Sequence, residues 1–277
     1  MAINLAKKFE SLVDEKFTSE SKTSLVTNRD YNFVGAKTIV IQSVGTAAMN
    51  DYGRNTAGTA RYGTVNDLST TNQEVSMEKD RSFTFAIDKM DEDETLGALN
   101  AGSALARQLR EVVMPEIDTY TYAKMSASAG TTETETLTNS NSYDALATAN
   151  ETLDENEVPL EGRVAVYSPA AYKNLKADPK AVLETEIGQD MRIRGVVANM
   201  DGVVIQKVPS KLLPSNTNFI LAHPVATTQA IKLAEYKIHT DAPGVSGSLV
   251  EGRIYYTAFV RNNKKFAIYV STSAAEE

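Results

Sequence analysis

The sequence contains no cysteine and only two histidines, His223 and His239. The absence of cysteine excludes disulfide bonds and thiolate metal ligands, and it is compatible with a reducing cytoplasm. A zinc site would have to be built mainly from carboxylates, which is an unusual choice for that metal. We therefore expect the protein to bind neither a metal nor a cofactor.

Long apolar runs and clustered positive charge are also missing. No segment approaches the roughly 20 apolar residues that span a bilayer, and residues 1–8 lack the apolar core of a signal peptide. The net charge is −8 and the basic residues are scattered, whereas proteins that wrap DNA need clustered Lys and Arg to neutralise phosphates. The sequence predicts no membrane contact and only weak, non-specific contact with nucleic acid.

Motifs that carry catalysis are scarce. Glycines spaced five apart between residues 53 and 63 suggest a phosphate cradle, but no Gly-Lys-Ser/Thr follows them. Ser168 precedes a proline and lacks a Gly-x-Ser-x-Gly elbow, so it predicts a helix cap rather than a nucleophile. Glu116 and Asp118 lie two positions apart on a predicted helix, and we expect structural pairing with Arg or Lys rather than acid-base chemistry. The sequence predicts no enzyme.

The N-terminal third combines a polar arm with a long loop. Residues 4–17 have a short amphipathic pattern, and residues 18–32 form a polar arm with little core of its own. Residues 37–44 are rich in β-branched side chains and predict a strand. Residues 45–72 are polar and glycine-punctuated, and structureless loops above about 12–15 residues are uncommon in compact domains unless they are functional or disordered.

The chain returns from this loop through an alternating pattern that predicts one strand crossing from the loop to the core. Its apolar residues share one parity, and Lys79 and Arg81 lie between them on the same face. The apolar positions are Val75, Met77, Phe83, Phe85 and Ile87.

A long helix is predicted next. Residues 91–94 are acidic and favour a helix start, because negative charge stabilises the N-terminal end of the helix dipole. Pro115 predicts a kink, or else a restart of the helix, because it lacks an N–H and clashes with the preceding turn. Residues 131–142 are turn-like and end the element. The apolar stripe is Leu96, Leu99, Leu105, Leu109, Val112 and Val113, continued by Ile117, Tyr120, Tyr122 and Met125.

The second half reads as an α/β region followed by β-rich segments. Asp201-Gly202 is a favoured hairpin dipeptide and predicts a turn between two short strands within residues 193–205. The last two β segments are predicted to pair as a hairpin through residues 262–264. The predicted elements are a helix at 143–156, a strand at 164–167, a helix from Ser168 through Leu175, and β segments at 218–222, 230–240, 254–261 and 265–271.

This order of features resembles the major capsid protein of tailed bacteriophages, which has the Hong Kong 97-like fold. The resemblance spans nearly the whole chain, and its most specific segments are the Pro-Glu-Ile-Asp-Thr-Tyr run at residues 115–120 and residues 195–205. It implies an α+β fold with an N-terminal arm, an extended β-hairpin loop, a peripheral domain with a long spine helix, and an axial α/β domain. The implied ranges are 1–35 for the arm, 45–82 for the loop, 83–135 with 247–277 for the peripheral domain, and 136–246 for the axial domain.

The resemblance also implies the function. The expected protein is a shell subunit that forms the hexamers and pentamers of an icosahedral head, encloses double-stranded DNA, and is found in the virion after assembly in the bacterial host cytoplasm. Scaffolding, portal and decoration proteins are further implied partners. Two alternatives stay open: an encapsulin-like compartment shell around protein cargo, and a cytoplasmic α/β enzyme with a long lid loop.

Two sets of residues are selected for these roles. In the intersubunit loop they are Tyr52, Arg54, Arg61, Tyr62 and Leu68. A loop with too little apolar surface to stabilise itself is expected to become ordered by binding a neighbour, and such head-to-tail contacts close into rings. In the spine helix the selected residues are Leu105, Leu109, Pro115, Asp118 and Tyr120.

Overall fold

The computed structural model describes residues 21–31, 33–54, 60–94, 100–181, 195–240 and 242–274. The amphipathic pattern at residues 4–17 and the apolar positions Leu96 and Leu99 lie outside these ranges. The described chain forms a two-stranded, a three-stranded and a six-stranded sheet.

The two-stranded sheet is the stem of the long loop. Strand β1 (Thr38–Val44) confirms the predicted strand and pairs antiparallel with β2 (Thr70–Ser76). The outermost pair is Val44 with Thr70, and the N–H of Gly45 then donates to the carbonyl of Ser69 at 2.8 Å. A side chain at Gly45 would meet Ser69 at 2.9 Å, so the close approach of the two limbs requires glycine there.

The return pattern is divided between two sheets, so the prediction of one continuous strand is wrong. Strand β2 ends at Ser76, and β3 (Lys79–Asp88) begins a different sheet. Val75 and Met77 are buried beside Phe33 in a small cluster at the loop stem. Phe83, Phe85 and Ile87 belong instead to the core under the three-stranded sheet. In both strands every second side chain points to the same face. The apolar residues therefore stay at odd-numbered positions even though the chain passes from one sheet to the other.

The three-stranded sheet supports the spine helix. Its order is β3, β10 (Gly247–Val260), β9 (Thr227–His239), with antiparallel pairing throughout. One helix packs on the sheet and joins it in a shared core. The buried residues of this core, hereafter the peripheral core, are Ile87, Ala101, Leu105, Leu109, Val113, Met114, Ile117, Val250, Ile254 and Tyr256.

The spine helix begins later than predicted, and Pro115 stands in the first turn of its last segment, as the predicted restart requires. The acidic residues belong to a separate short helix, α1 (Lys89–Glu94). The spine starts at α2 (Ala101–Gln108), where the side chain of Asn100 accepts from the N–H of Gly102 and caps the helix. It continues through a π-helical turn (Leu109–Val113) into α3 (Met114–Ala127). The first turn tolerates proline, because the N–H that proline lacks has little use there.

The six-stranded sheet forms the second core. Its order is β4-β11-β8-β5-β7-β6, with β4 parallel to β11 and β5 parallel to β7. Two helices pack on it, and both confirm the predictions for this region. The bounds are β4 (Thr131–Thr134), α4 (Ser142–Glu155), β5 (Val164–Tyr167), α5 (Pro169–Ala177), β6 (Val196–Met200), β7 (Val203–Lys207), β8 (Thr217–Ala222) and β11 (Ile268–Thr272).

Local turn and cap predictions hold in this region. Asp201 and Gly202 adopt φ of 51° and 77°, the left-handed conformation of a two-residue hairpin turn, and join β6 to β7. Ser168 caps α5 by accepting from the N–H of Ala171 at 3.3 Å, as its place before a proline predicts.

Three long-range expectations differ from the structure. Residues 131–134 form β4 rather than a turn, because these threonines pair with the edge of β11. Strands β10 and β11 do not form a hairpin, since the 3₁₀ segment Asn262–Ala267 carries the chain from one sheet to the other. The implied domain ranges do not follow the sheets: β9 lies within 136–246 but joins the three-stranded sheet, whereas β4 and β11 lie within 83–135 and 247–277 but join the six-stranded sheet.

Candidate assembly surfaces

The tip of the long loop holds its shape through a few contacts of its own. The rings of Tyr52 and Tyr62 meet edge to face with centroids 5.0 Å apart. The N–H of Gly53 donates to the carbonyl of Arg61 at 2.9 Å, which joins the two limbs of the tip. Gly63 has φ of 81° and lies against Asn50, where any side chain would clash. Tyr52, Arg61 and Tyr62 are therefore brought together as one small surface.

Apolar side chains on this tip face solvent. Met49 is 99% exposed and Val65 is 92% exposed, while Tyr52, Tyr62 and Leu68 are also exposed. Met49 and Val65 were not among the residues selected from the sequence, although their isolation in a polar stretch was visible there. Arg54 follows the tyrosine contact in the chain and is exposed as well. Several exposed apolar side chains gathered on one loop suit a surface that another chain covers.

The stem of the loop is fixed to its own subunit. The amide of Gln73 donates to the carbonyl of Val260 and accepts from the N–H of Asn262, both at 2.9 Å. These two bonds attach β2 to the end of β10. On the same face Ile41, in β1, is buried with Phe259. The loop therefore projects from a rigid base.

A polar clamp joins the passage between β2 and β3 to the spine helix. Glu78 accepts from the hydroxyl of Tyr120 at 2.8 Å and pairs with Lys124 at 2.9 Å. The hydrogen bond from Lys124 is the largest cause that lowers the pKa of Glu78. Arg81 pairs with Glu116 at 2.7 Å, as the sequence predicts for that carboxylate.

Asp118 does not follow the same prediction. Its side chain is 2% exposed, and it is bound by hydroxyls and a backbone N–H instead of by Arg or Lys. Burial raises the pKa of the Asp118 carboxyl, because desolvation outweighs the hydrogen bonds that Ser21, Lys22 and Thr23 donate to it. The sequence could not indicate these partners, since they lie more than 90 residues away.

The arm is also more firmly attached than its composition suggests. Ser21, Thr23 and Val26 are buried, and Val26 joins the core of the six-stranded sheet. These positions form little core of their own, and they are buried instead against the spine helix and the six-stranded sheet. The polar side chains are accommodated because the spine helix and the sheet offer them hydrogen-bond partners.

The other residues selected in the spine helix pack in the core or line a cavity beside it. Leu105 and Leu109 are buried in the peripheral core. Pro115 and Tyr120 line an open cavity of about 410 Å³ that also contacts Leu212. The ring of Tyr120 packs edge to face on Tyr256 with centroids 5.6 Å apart.

Arg163, which the sequence did not single out, closes the loop after α4. It is 1% exposed, and its guanidinium donates to the carbonyls of Val158 and Pro159 and to both oxygens of Asn150. It also pairs with Asp154 at 2.7 Å. All five guanidinium donors therefore have acceptors.

Within the described ranges, no group of three or more His, Asp or Glu side chains is placed to hold a metal ion. Among the helices of that same part of the chain, none has the length and apolar character needed to cross a bilayer.

Comparisons with known proteins bear on this arrangement. The family described as phage capsid protein matches residues 71–270. A structure of Mycobacterium phage Che8 is 19% identical, with 91% of this chain and 90% of that chain covered and a TM-score of 0.65. The capsid structure of the cyanophage P-SCSP1u is 17% identical, with 91% of this chain and 87% of that chain covered and a TM-score of 0.67.

The crystal structure of the virus-like particle from Pyrococcus furiosus is 9% identical, with 97% of this chain and 100% of that chain covered and a TM-score of 0.58. No curated protein sequence matches the chain. The family match extends from the loop stem to the last strand of the six-stranded sheet, and the structural matches share the mixed α+β fold. The chain therefore belongs to the phage capsid protein family and has the Hong Kong 97-like fold.

Proposed function

We propose that this shell subunit assembles into the hexamers and pentamers of an icosahedral phage head around double-stranded DNA. Its family and fold indicate a structural role in the virion rather than an enzymatic one. Assembly takes place in the cytoplasm of the bacterial host. Portal, scaffolding and decoration proteins are further partners in this proposal.

The observation that carries the proposal is the contrast between the stem and the tip of the long loop. The stem is bonded to its own subunit through Gln73, whereas the tip exposes Met49, Tyr62 and Val65. The tip is suited to bury these side chains on a neighbouring copy, and each buried side chain of this size contributes about 1.5–3 kcal/mol. Repetition of one modest contact around a closed shell makes the particle persistent.

The charge of the chain supports packaging without sequence recognition. A net charge of −8 does not favour tight phosphate binding, so the enclosed DNA is held by the closed wall rather than by many ion pairs.

Purified protein, supplied with any scaffold that it requires, is expected to form hollow particles in negative-stain micrographs. Particles recovered from infected or induced cells should contain DNA that resists nuclease until the shell is opened. Light scattering that shows only monomers or dimers under these conditions would contradict the shell proposal. Particles filled with protein and free of DNA would instead support the encapsulin-like alternative, and a small active oligomer would support the enzyme.

Replacing both histidines by Gln is expected to leave folding and particle formation intact. His223 bridges the carbonyl of Glu161 and the N–H of Val225, at 3.0 and 3.1 Å, and a glutamine amide can replace part of this pairing. His239 faces Glu251 at 3.4 Å on an exposed part of the sheet. The measurements are the melting temperature and the particle yield of the double variant. Loss of a bound metal together with loss of folding would contradict the metal-free interpretation.

A further inference from the structure

Residues 21–28, hereafter the strip, lie against the C-terminal half of the spine helix, with turns at residues 22–26 that include a 3.0 Å bond from the N–H of Val26 to the carbonyl of Thr23. Ser21 and Thr23 donate their hydroxyls to one oxygen of Asp118, each at 2.8 Å. The N–H of Lys22 donates to the other oxygen at 2.9 Å. Three donors from three successive residues thus converge on one buried carboxyl.

The backbone of Lys22 is bound on its other side as well. Its carbonyl accepts from the hydroxyl of Tyr122 at 2.8 Å and from the amide of Gln206 at 2.7 Å. Side chains of α3 and β7 therefore satisfy both backbone groups of this residue, as a neighbouring strand would in a sheet. The strip is therefore held in the way a bound peptide is held, through hydrogen bonds between its backbone and the side chains around it.

The far end of the strip has a second attachment. The side chain of Asn28 donates to the carbonyl of Pro224 at 2.7 Å and accepts from the hydroxyl of Thr228, also at 2.7 Å. Its backbone pairs with Thr227 and Gln229 at the start of β9. Directly after it, Arg29 and Asp30 are exposed.

Most of this attachment is polar, whereas the cores of the three-stranded and six-stranded sheets consist almost entirely of residues after Ser82. In the core of the six-stranded sheet the strip contributes Val26 as its one fully buried apolar side chain among the described residues. Segments with few buried apolar contacts open at lower free energy than the strands of a core. The strip is therefore expected to open at a lower free energy than the strands of either core.

We propose that Asp118 anchors residues 21–28 as a separable arm, which leaves the spine helix while both cores stay folded. The anchor fixes the point on the subunit from which residues 1–20 depart. Asp118, the aspartate of the Pro-Glu-Ile-Asp-Thr-Tyr run, then has a physical role within the subunit, which is separate from shell contacts and from catalysis. The inference concerns the single subunit and does not rest on the proposed function.

Hydrogen exchange of the full-length, unassembled subunit tests this assignment. In the unsubstituted protein, amides of residues 22–28 should exchange at least about 10-fold faster than those of β5 and β8. Asp118→Ala should speed exchange in residues 22–28 by a further 10- to 100-fold or so, because it removes the acceptor of three buried donors. Exchange in β5 and β8 should change by less than about 3-fold.

Two further variants provide a smaller perturbation of the strip and a control on the same helix. Tyr122→Phe retains the buried ring and removes one bond to Lys22, so it should speed exchange in the strip by about 3- to 10-fold. Glu116→Gln, on the same helix but paired with Arg81, should leave the strip unchanged. Equal exchange of the strip in Asp118→Ala and unsubstituted protein would overturn the anchor. Exchange of core strands that rises in step with the strip would overturn its separability.

Discussion

Replacing residues 46–68 with Asn-Gly is expected to give a folded subunit that no longer forms closed shells. The replacement leaves Gly45 and Ser69, which already face each other across the hairpin, to be joined by a two-residue turn. The paired strands β1 and β2 stay complete, and the stem keeps its bonds through Gln73. All of the exposed apolar residues of the tip are removed.

The expected product melts cooperatively, because no side chain of the tip belongs to a buried cluster of the described chain. Circular dichroism and thermal melting measure folding, and negative-stain microscopy with light scattering measures assembly. Unfolded protein would show that the tip belongs to the core. Particles of undiminished stability would show that the tip is not an intersubunit contact.

A pair of full-length variants separates loop chemistry from loop length. Met49→Ser, Val65→Ser and Leu68→Ser together keep the loop and remove apolar area that is 99%, 92% and 57% exposed in the subunit. We expect fragile or incomplete particles from this triple variant. The control replaces the same residue types outside the loop, Met90, Val112 and Leu160, which are 61%, 47% and 61% exposed, by Ser and should assemble normally.

Elements whose signals lie within a few residues of each other were predictable from the sequence. Ser168 before Pro169 predicts the start of α5, and Asp201-Gly202 predicts the turn between β6 and β7. The physical causes are a cap and a left-handed turn, which the neighbouring residues alone determine. The resemblance to phage capsid proteins rested on the order of such elements, and the family match confirms it.

Features decided by distant partners were not predictable. The even spacing from Val75 to Ile87 is the same whether the strand pairs with β1 or with β10, so the change of sheet leaves no local trace. The same holds for Asp118, because an i, i+2 pair of acids on a helix carries no information about a hydroxyl strip 95 to 97 residues away. The intersubunit role of Tyr52, Arg54, Arg61, Tyr62 and Leu68 remains a prediction for assembly experiments.

The burial of Arg163 could not be foreseen either, and it leads to the second large expected effect. Arg163→Met preserves much of the volume of the side chain but leaves the carbonyls of Asn150, Val158 and Pro159 without their donor. Breaking a buried network of this kind is expected to lower the free energy of unfolding by about 3 kcal/mol. At roughly 2–4 °C per kcal/mol for a large domain, the melting temperature should fall by about 6–12 °C.

The matched control is Arg253→Met, because Arg253 also pairs with a carboxylate but is exposed: two of its nitrogens donate to Asp80 at the surface of the three-stranded sheet. Its loss should move the melting temperature by no more than about 2 °C, since solvent screens an exposed ion pair. Arg163→Lys restores the charge but not the planar set of five donors, so it should recover only part of the loss. Equal melting temperatures for Arg163→Met and Arg253→Met would show that the loop after α4 does not depend on the buried guanidinium. A fall confined to Arg163→Met, with the same particle architecture at low temperature, would show that the side chain stabilises the core of the six-stranded sheet without taking part in assembly.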